Sequence, residues 1–375
     1  MRRYHCAPPR LRASAPPRLR LLAFSTPIES TSSNARTSLK GSSSMRALSR
    51  SDLRQAVPMH DAVELMKVAF RELSAGRAVS PVRAQVPIGD PNSMLLSMPG
   101  YVASEKAAGI KIVSFFGGNA GTAIPVIHAL VYMIDADTGQ PLGIMEGGYV
   151  TALRTGAVSG AATDLLARPD SATLAVIGTG VQGVTQAAAV CCVRPITKII
   201  GIDLRPDAQQ RFVETVRRDW PELAECEITT TANADEAVAV ADVLCCSTTA
   251  RQPVFSDAAV RPGTHINAVG AFTPDMQEVP PATIARATVV VDNVDACLEE
   301  AGDLIKAMAE GAIGRAHWSR ELGQVVSGEA PGRSRDDEIT FFKSVGNSVQ
   351  DVVVGQRALA RADEMGLGTE LDLFA

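Results

Sequence analysis

The stretch Thr173-Leu174-Ala175-Val176-Ile177-Gly178-Thr179-Gly180-Val181-Gln182-Gly183 decides the fold class of this chain. Its first five residues read as a short apolar strand, and three glycines follow at once in the spacing Gly-x-Gly-x-x-Gly. Helix-forming residues take over at 184–190. Gly178 permits a tight turn, Gly180 lets a pyrophosphate approach the backbone, and Gly183 lets the helix pack closely on the strand. Thr179, Val181 and Gln182 carry the remaining amides of a helix start, where the dipole favours an anion. A second strand ends in Asp203, 25 residues past Gly178, placed to accept hydrogen bonds from an adenosine ribose. The pattern therefore predicts a bound dinucleotide. Asp203 favours NAD by repelling an extra phosphate, and Arg205, two residues on, leaves NADP open.

Outward from that turn, strand-like runs at 173–177, 198–202, 227–230, 243–247, 265–269 and 288–291 alternate with helix-length stretches. That alternation predicts right-handed βαβ units and an α/β Rossmann fold with a doubly wound parallel sheet. Upstream the texture differs. Runs at 82–88, 93–98, 108–116 and 128–134 are separated by turn signals, which predicts a largely antiparallel sheet with one helical layer. Ser51 or Asp52 is a candidate cap for a short helix, a second helix spans 61–73, and an Ala/Gly-rich helix spans 152–167. Past 313 the pattern turns helical again, including 341–360. The expected organisation is an extension at 1–44, a first part of a second α/β domain at 45–168, the Rossmann domain at 169–313, and C-terminal helices at 314–375 that return to the second domain.

Composition narrows the class. Apolar residues make up 46% and charged residues 21% of the chain, as in an ordinary soluble enzyme. No apolar run approaches the roughly 18 residues of a spanning helix, so no membrane is expected. Residues 1–44 hold seven Arg, one Lys and one acid, Glu29, while the whole chain carries −5. The remainder is thus acidic without a basic stripe, which argues against nucleic acid as a partner. The extension reads either as an organellar transit peptide, mitochondrial or plastid, or as sequence upstream of a start at Met45 in a cytoplasmic protein. Four of the seven cysteines stand in adjacent pairs, Cys191-Cys192 and Cys245-Cys246, which suits a reducing compartment. The five histidines never fall in a ligand pair, so no metal is expected.

Chemistry must come from outside the dinucleotide half, and three cations near segment ends are the candidates: Arg83, Lys111 and Arg154. Lys111 interrupts an apolar strand, Gly109-Ile-Lys-Ile-Val-Ser-Phe115. Burying an unpaired ammonium is costly, so Lys111 either points to solvent by alternation or faces an anion. Composition favours solvent. The same holds for Arg83, and more strongly for Arg154 on its helix.

From Met45 to its end the chain resembles the ornithine cyclodeaminase/mu-crystallin family. The resemblance is carried by Pro81-Val-Arg83, Met98-Pro-Gly-Tyr101, Gly109-Ile-Lys111, Thr151-Ala-Leu-Arg-Thr155 and the Gly178–Gly183 loop. Val269-Gly270 with Pro274, and Phe342-Lys-Ser-Val-Gly346 with Gln350-Asp351, complete it. It implies a Rossmann domain plus a dimerising α/β substrate domain built from both chain ends, hence a homodimer. It implies that Arg83, Lys111 and Arg154 grip a substrate carboxylate and that Thr155 lies beside the cofactor phosphates. Ser247, Thr248, Thr249 and Val269 would border the cofactor, and Ser344 and Gly346 would approach its nicotinamide. One position departs: the cyclodeaminases carry Asp where this chain has Phe272, so Phe272 is expected to cover an apolar ring. Asp275 reads as a loop-capping acid more readily than a catalytic one. The expected activity is NAD(P)H-dependent reduction of a cyclic imino acid, Δ1-pyrroline-2-carboxylate or Δ1-piperideine-2-carboxylate, with Lys111 binding the carboxylate or passing the proton. Alanine dehydrogenase, ornithine cyclodeaminase and a non-catalytic NAD(P)-binding crystallin are the alternatives.

Overall fold

A computed structural model describes residues 44–119 and 122–373, the side chains at 90 and 91 excepted. The basic extension lies, up to residue 43, outside the described residues.

Seven strands form a wholly parallel sheet in the order Glu227–Thr231, Lys198–Ile202, Thr173–Ile177, Val243–Cys246, His265–Ala268, Thr340–Lys343, Thr288–Val291. The order reverses beside Thr173–Ile177, so a crevice opens at the C-terminal end of that strand. The helix Val181–Val193 follows it directly. One expectation fails here. The segment 341–360 does not run as one helix, because Thr340–Lys343 is a strand of this sheet and the helix starts only at Ser348. Thr-Phe-Phe-Lys is too short for its period to separate a buried strand from a helix start, and it is buried on both faces, Phe342 in one apolar cluster and Phe341 in the other. The Rossmann sheet is thus completed by residues beyond 313.

Among the described residues the second sheet has eight strands. Its centre is an antiparallel run through Asp90–Val102, Ala107–Phe116, Ile127–Asp135 and Pro141–Glu146. Pro141–Glu146 and Ser44–Leu48 pair in parallel, and Ser44–Leu48 pairs antiparallel with Thr369–Asp372, so the two ends of the described chain meet in one sheet. The strand begins at Ser44, inside the expected extension. The first helix, Arg50–Ala56, is capped by Ser49 rather than by Ser51 or Asp52. Asp52 sits at its third position and closes a capping box.

Between the sheets lie the helices Met59–Ser74, Gly147–Leu166 and Ser348–Met365. Sixteen of the twenty residues of Gly147–Leu166 are buried, as expected of a helix apolar on every side. Gly156 makes the close approach possible: a Cβ there would lie 2.5 Å from the Thr185 carbonyl oxygen of the helix after the glycine turn. One apolar cluster runs continuously from Phe70 and Met133 through Val158 to Val184 and Phe342.

Candidate active site

The glycine turn has the geometry a pyrophosphate needs. Gly178 has φ +92°, and a Cβ on Gly183 would fall 2.2 Å from the Gly178 oxygen, whereas a Cβ on Gly180 would meet nothing within 4 Å. The side without neighbours is the one open to a ligand. No side chain caps the helix after it, so the amides at Val181 and Gln182 remain for an anion. Thr155 is buried one residue from the Gly156–Thr185 contact, which puts it beside this helix start, and its carbonyl accepts a bond from Gln186 at 3.1 Å. Asp203 accepts from the Thr179 hydroxyl at 2.8 Å and the Arg205 amide at 3.0 Å. Burial raises its carboxyl, but those donors outweigh it and hold the group below the usual carboxylate range. The Arg205 guanidinium is exposed, 3.7 Å from the Asp203 carboxylate. The Ser247 hydroxyl donates to the Gly178 carbonyl at 2.9 Å, and the Val269 amide donates to Cys246 at 3.0 Å. Thr249 is exposed beside them.

The three cations are drawn together from three separate segments, and the solvent reading fails for all of them, the Arg83 side chain being 10% exposed. Lys111 is only 1% exposed and Arg154 7%. Lys111 pairs in register with Met98 and Val131, and this face of the sheet is covered by the helix Ser348–Met365. Its ammonium lies 2.9 and 2.8 Å from the two oxygens of Asp351. Arg154 donates to Asp351 at 3.2 Å and to Gln350 at 2.7 Å. Arg83 donates to Glu300 at 2.8 Å and to the carbonyls of Val345 and Gly346, both at 2.9 Å. Gly346, at φ +77°, joins the groups: a Cβ there would strike the Arg154 guanidinium at 2.6 Å. Its loop is fixed by buried Asp292, which accepts from the Ser344 hydroxyl at 2.7 Å and the amides of Val345 and Gly346 at 3.0 and 2.9 Å.

Burial pushes the Lys111 ammonium down to about 8, with Arg154 and Arg83 pushing the same way and Asp351 opposing. Burial likewise lowers Arg154 and raises Glu300, in each case against the attraction of its partner. A cleft of about 420 Å³ opens beside the cluster, lined by Val79, Val82, Arg83, Met98, Glu300 and Gly346. Phe272 is not among its walls; it packs partly buried on the apolar cluster of the Rossmann half. Asp275 accepts from Thr273 at 2.5 Å and lies exposed, a loop cap. Asp351, Glu300 and Asp292 were missed as functional residues. An acid and an amide inside the run Val349-Gln-Asp-Val-Val-Val354 are the signal that points to Asp351, because an apolar helix face retains such groups only when they are partnered.

Among the described residues no group of His, Cys, Asp and Glu is arranged to hold a metal, and no helix is long and apolar enough to cross a membrane.

A parallel α/β sheet with a glycine turn at its switch point, set against a buried cation cluster, defines a dinucleotide-dependent oxidoreductase. The sequence pattern of the ornithine cyclodeaminase/mu-crystallin family matches residues 44–364, and the chain belongs to that family. It is 38% identical to a Delta(1)-pyrroline-2-carboxylate reductase of Bacillus cereus over 329 residues, 88% of this chain and 100% of that one. It superposes with a TM-score of 0.82 on the Thermococcus litoralis Delta(1)-pyrroline-2-carboxylate reductase in complex with NADH and L-proline, at 40% identity, covering 87% of this chain and 99% of that one. It is also similar to an archaeal alanine dehydrogenase dimer with bound NAD, with a TM-score of 0.80 and 31% identity over 88% of this chain and 100% of that one.

Proposed function

We propose that this protein reduces a cyclic imino acid, Δ1-pyrroline-2-carboxylate or its six-membered homologue, to the corresponding L-amino acid with NADH. The observation that carries this reading is the charge of the buried cluster. Arg83, Lys111 and Arg154 have only two ion-pair partners, Glu300 and Asp351, while Asp292 is turned to the Ser344–Gly346 loop, so three converging cationic donors suit the single carboxylate of such a substrate. Arg83 and Arg154 bind that carboxylate, and the apolar walls Val79, Val82 and Met98 take the ring. The nicotinamide cofactor, when bound, supplies the hydride that adds to C2 of the imine. Lys111 holds the proton that the imine nitrogen takes up, and Asp351 holds Lys111 in place. Fixing the acceptor carbon in this way can supply several kcal/mol, up to about 7–11 in ideal cases.

Purified protein with NADH and each of the two cyclic imines should consume NADH. Failure with both, together with NAD-dependent oxidation of L-alanine, overturns the reading in favour of an alanine dehydrogenase.

The active form is a homodimer. The outer face of the second sheet leaves Val86, Leu95, Ile112 and Leu130 exposed, and the strand register lines up Val86 with Leu95 and Ile112 with Leu130. An apolar sheet face of this kind needs a cover. Light scattering should give twice the chain mass, and the double change Ile112→Asp with Leu130→Asp should give the monomer.

A further inference from the structure

Glu278 lies outside both the glycine turn and the cation cluster, yet it ties together two loops at the crevice. It is fully buried. Its two oxygens take four donors: the Thr248 amide at 2.6 Å and hydroxyl at 2.8 Å on one, the amides of Gly270 and Ala271 at 2.8 and 2.9 Å on the other. These donors sit on the two loops that leave the C-terminal ends of the neighbouring strands Val243–Cys246 and His265–Ala268. The loops are in tight contact. A Cβ on Gly270 would lie 2.3 Å from the Thr248 oxygen, and one on Gly178 would lie 2.8 Å from the Ser247 oxygen. The glycine turn is therefore the third member of the same contact.

Behind Glu278, Asp303 accepts from the amides of Glu278 and Val279 at 2.7 and 3.0 Å, and from the buried Lys343 ammonium at 2.8 Å. A carboxylate this deep costs far more than an apolar side chain unless every lone pair is used. Burial and the Asp303 charge push the Glu278 carboxyl up, while Lys343 and the Thr248 donors act the other way. An apolar residue can fill the space. It cannot aim four donor groups of two loops.

We propose that Glu278 is a positioning residue for the nicotinamide ring of the cofactor: it locks the Thr248 and Gly270 loops against the glycine turn, where the strand order reverses. The proposal rests on the dinucleotide reading above, and the adenosine half of the ligand separates the two. ADP-ribose carries that half, the pyrophosphate and the distal ribose, and lacks only the nicotinamide ring.

The test is the affinity of NADH and of ADP-ribose, measured calorimetrically, for the wild-type full chain, Glu278→Gln and Glu278→Asp. The glutamine turns an amide NH2 toward donors whichever way it sits, so NADH should bind about 10-fold more weakly while ADP-ribose changes by less than about two-fold. Aspartate keeps the charge but reaches only one loop, and the same split should appear at about three-fold; it is the deciding variant should the glutamine protein not fold. Equal weakening of both ligands, or no weakening of either, overturns the role of Glu278. Failure of ADP-ribose to bind the wild-type protein overturns the dinucleotide reading instead.

Discussion

The two halves of the site are built on opposite plans. The glycine turn is local: Gly178, Gly180, Gly183 and Asp203 lie within 26 consecutive residues, and what it offers a dinucleotide is chiefly backbone. The cation cluster is assembled from Arg83, Lys111, Arg154, Glu300 and Asp351, residues on five separate segments, and in the proposed reading its charged side chains hold the substrate. A local site tolerates change in its surroundings. An assembled one depends on the packing of the whole molecule, above all on the helix Ser348–Met365 that brings Asp351 onto the Lys111 strand.

The largest effect should therefore come from Lys111→Met. Removing one partner of a buried ion pair costs about 3–5 kcal/mol, and Arg154 still partners Asp351, so stability should fall by an amount near the lower end. The activity loss should be greater in proportion, about 100-fold or more in kcat/KM, because the binding charge and the proton leave together. The double change Lys111→Met with Asp351→Leu should recover neither stability nor activity, because it strips the buried Arg154 of its carboxylate. Denaturant melts beside steady-state kinetics check both halves. A Lys111→Met protein with wild-type kcat/KM would mean that the assembled cluster is structural only.

The same contrast explains what the sequence discloses. The glycine turn is readable because each glycine answers a backbone requirement with its own identity, and the parallel sheet follows from strands spaced by helices. Lys111 is readable only as an anomaly. Whether such a lysine faces water or an anion depends on which face of Gly109–Phe115 the C-terminal helix covers, and that is set more than two hundred residues away. Asp351 is quiet for the same reason: alone it is an acid near a helix start, a favourable place for any Asp. The strand Thr340–Lys343 reads as a helix start because a four-residue buried segment has too few residues to show a period. A departure from the cyclodeaminase pattern suggests a ligand contact for Phe272; its ring packs, partly buried, against the apolar cluster of the Rossmann half.

A second effect, graded rather than abrupt, is the pH dependence. Burial, then the neighbouring arginines, lower the Lys111 ammonium to about 8 against the pull of Asp351. Imine reduction needs the protonated form, so kcat/KM, which reports the free enzyme, should be level below about pH 8 and fall about tenfold per unit above it. Amine oxidation should run the other way. The substrate carboxylate adds a negative charge beside Lys111, so the corresponding limb in kcat should lie at higher pH. Lys111→Arg should abolish the limb in both, and a limb unmoved in that variant would assign the proton elsewhere.

The smallest effect belongs to the local half and concerns cofactor choice. Asp203 is held ionised by the Thr179 hydroxyl and the Arg205 amide, and on the dinucleotide reading it would face the adenosine ribose. Its charge opposes NADPH. The Arg205 guanidinium lies 3.7 Å away and is free to turn. Asp203→Ser removes the repulsion, keeps a short polar side chain for the ribose, and leaves Arg205 to pair with the phosphate. Because Arg205 is exposed, its gain is screened, and the preference for NADH over NADPH should narrow by only about 10-fold in kcat/KM. Asp203→Ser with Arg205→Ala should lose most of that gain, because the phosphate then meets neither repulsion nor a partner. Steady-state kinetics with both cofactors decide it. A wild-type protein that already uses NADPH as well as NADH would show that Arg205, not Asp203, governs the pocket, and that even the more legible half of the site is read from its charges only once the loop around them is known.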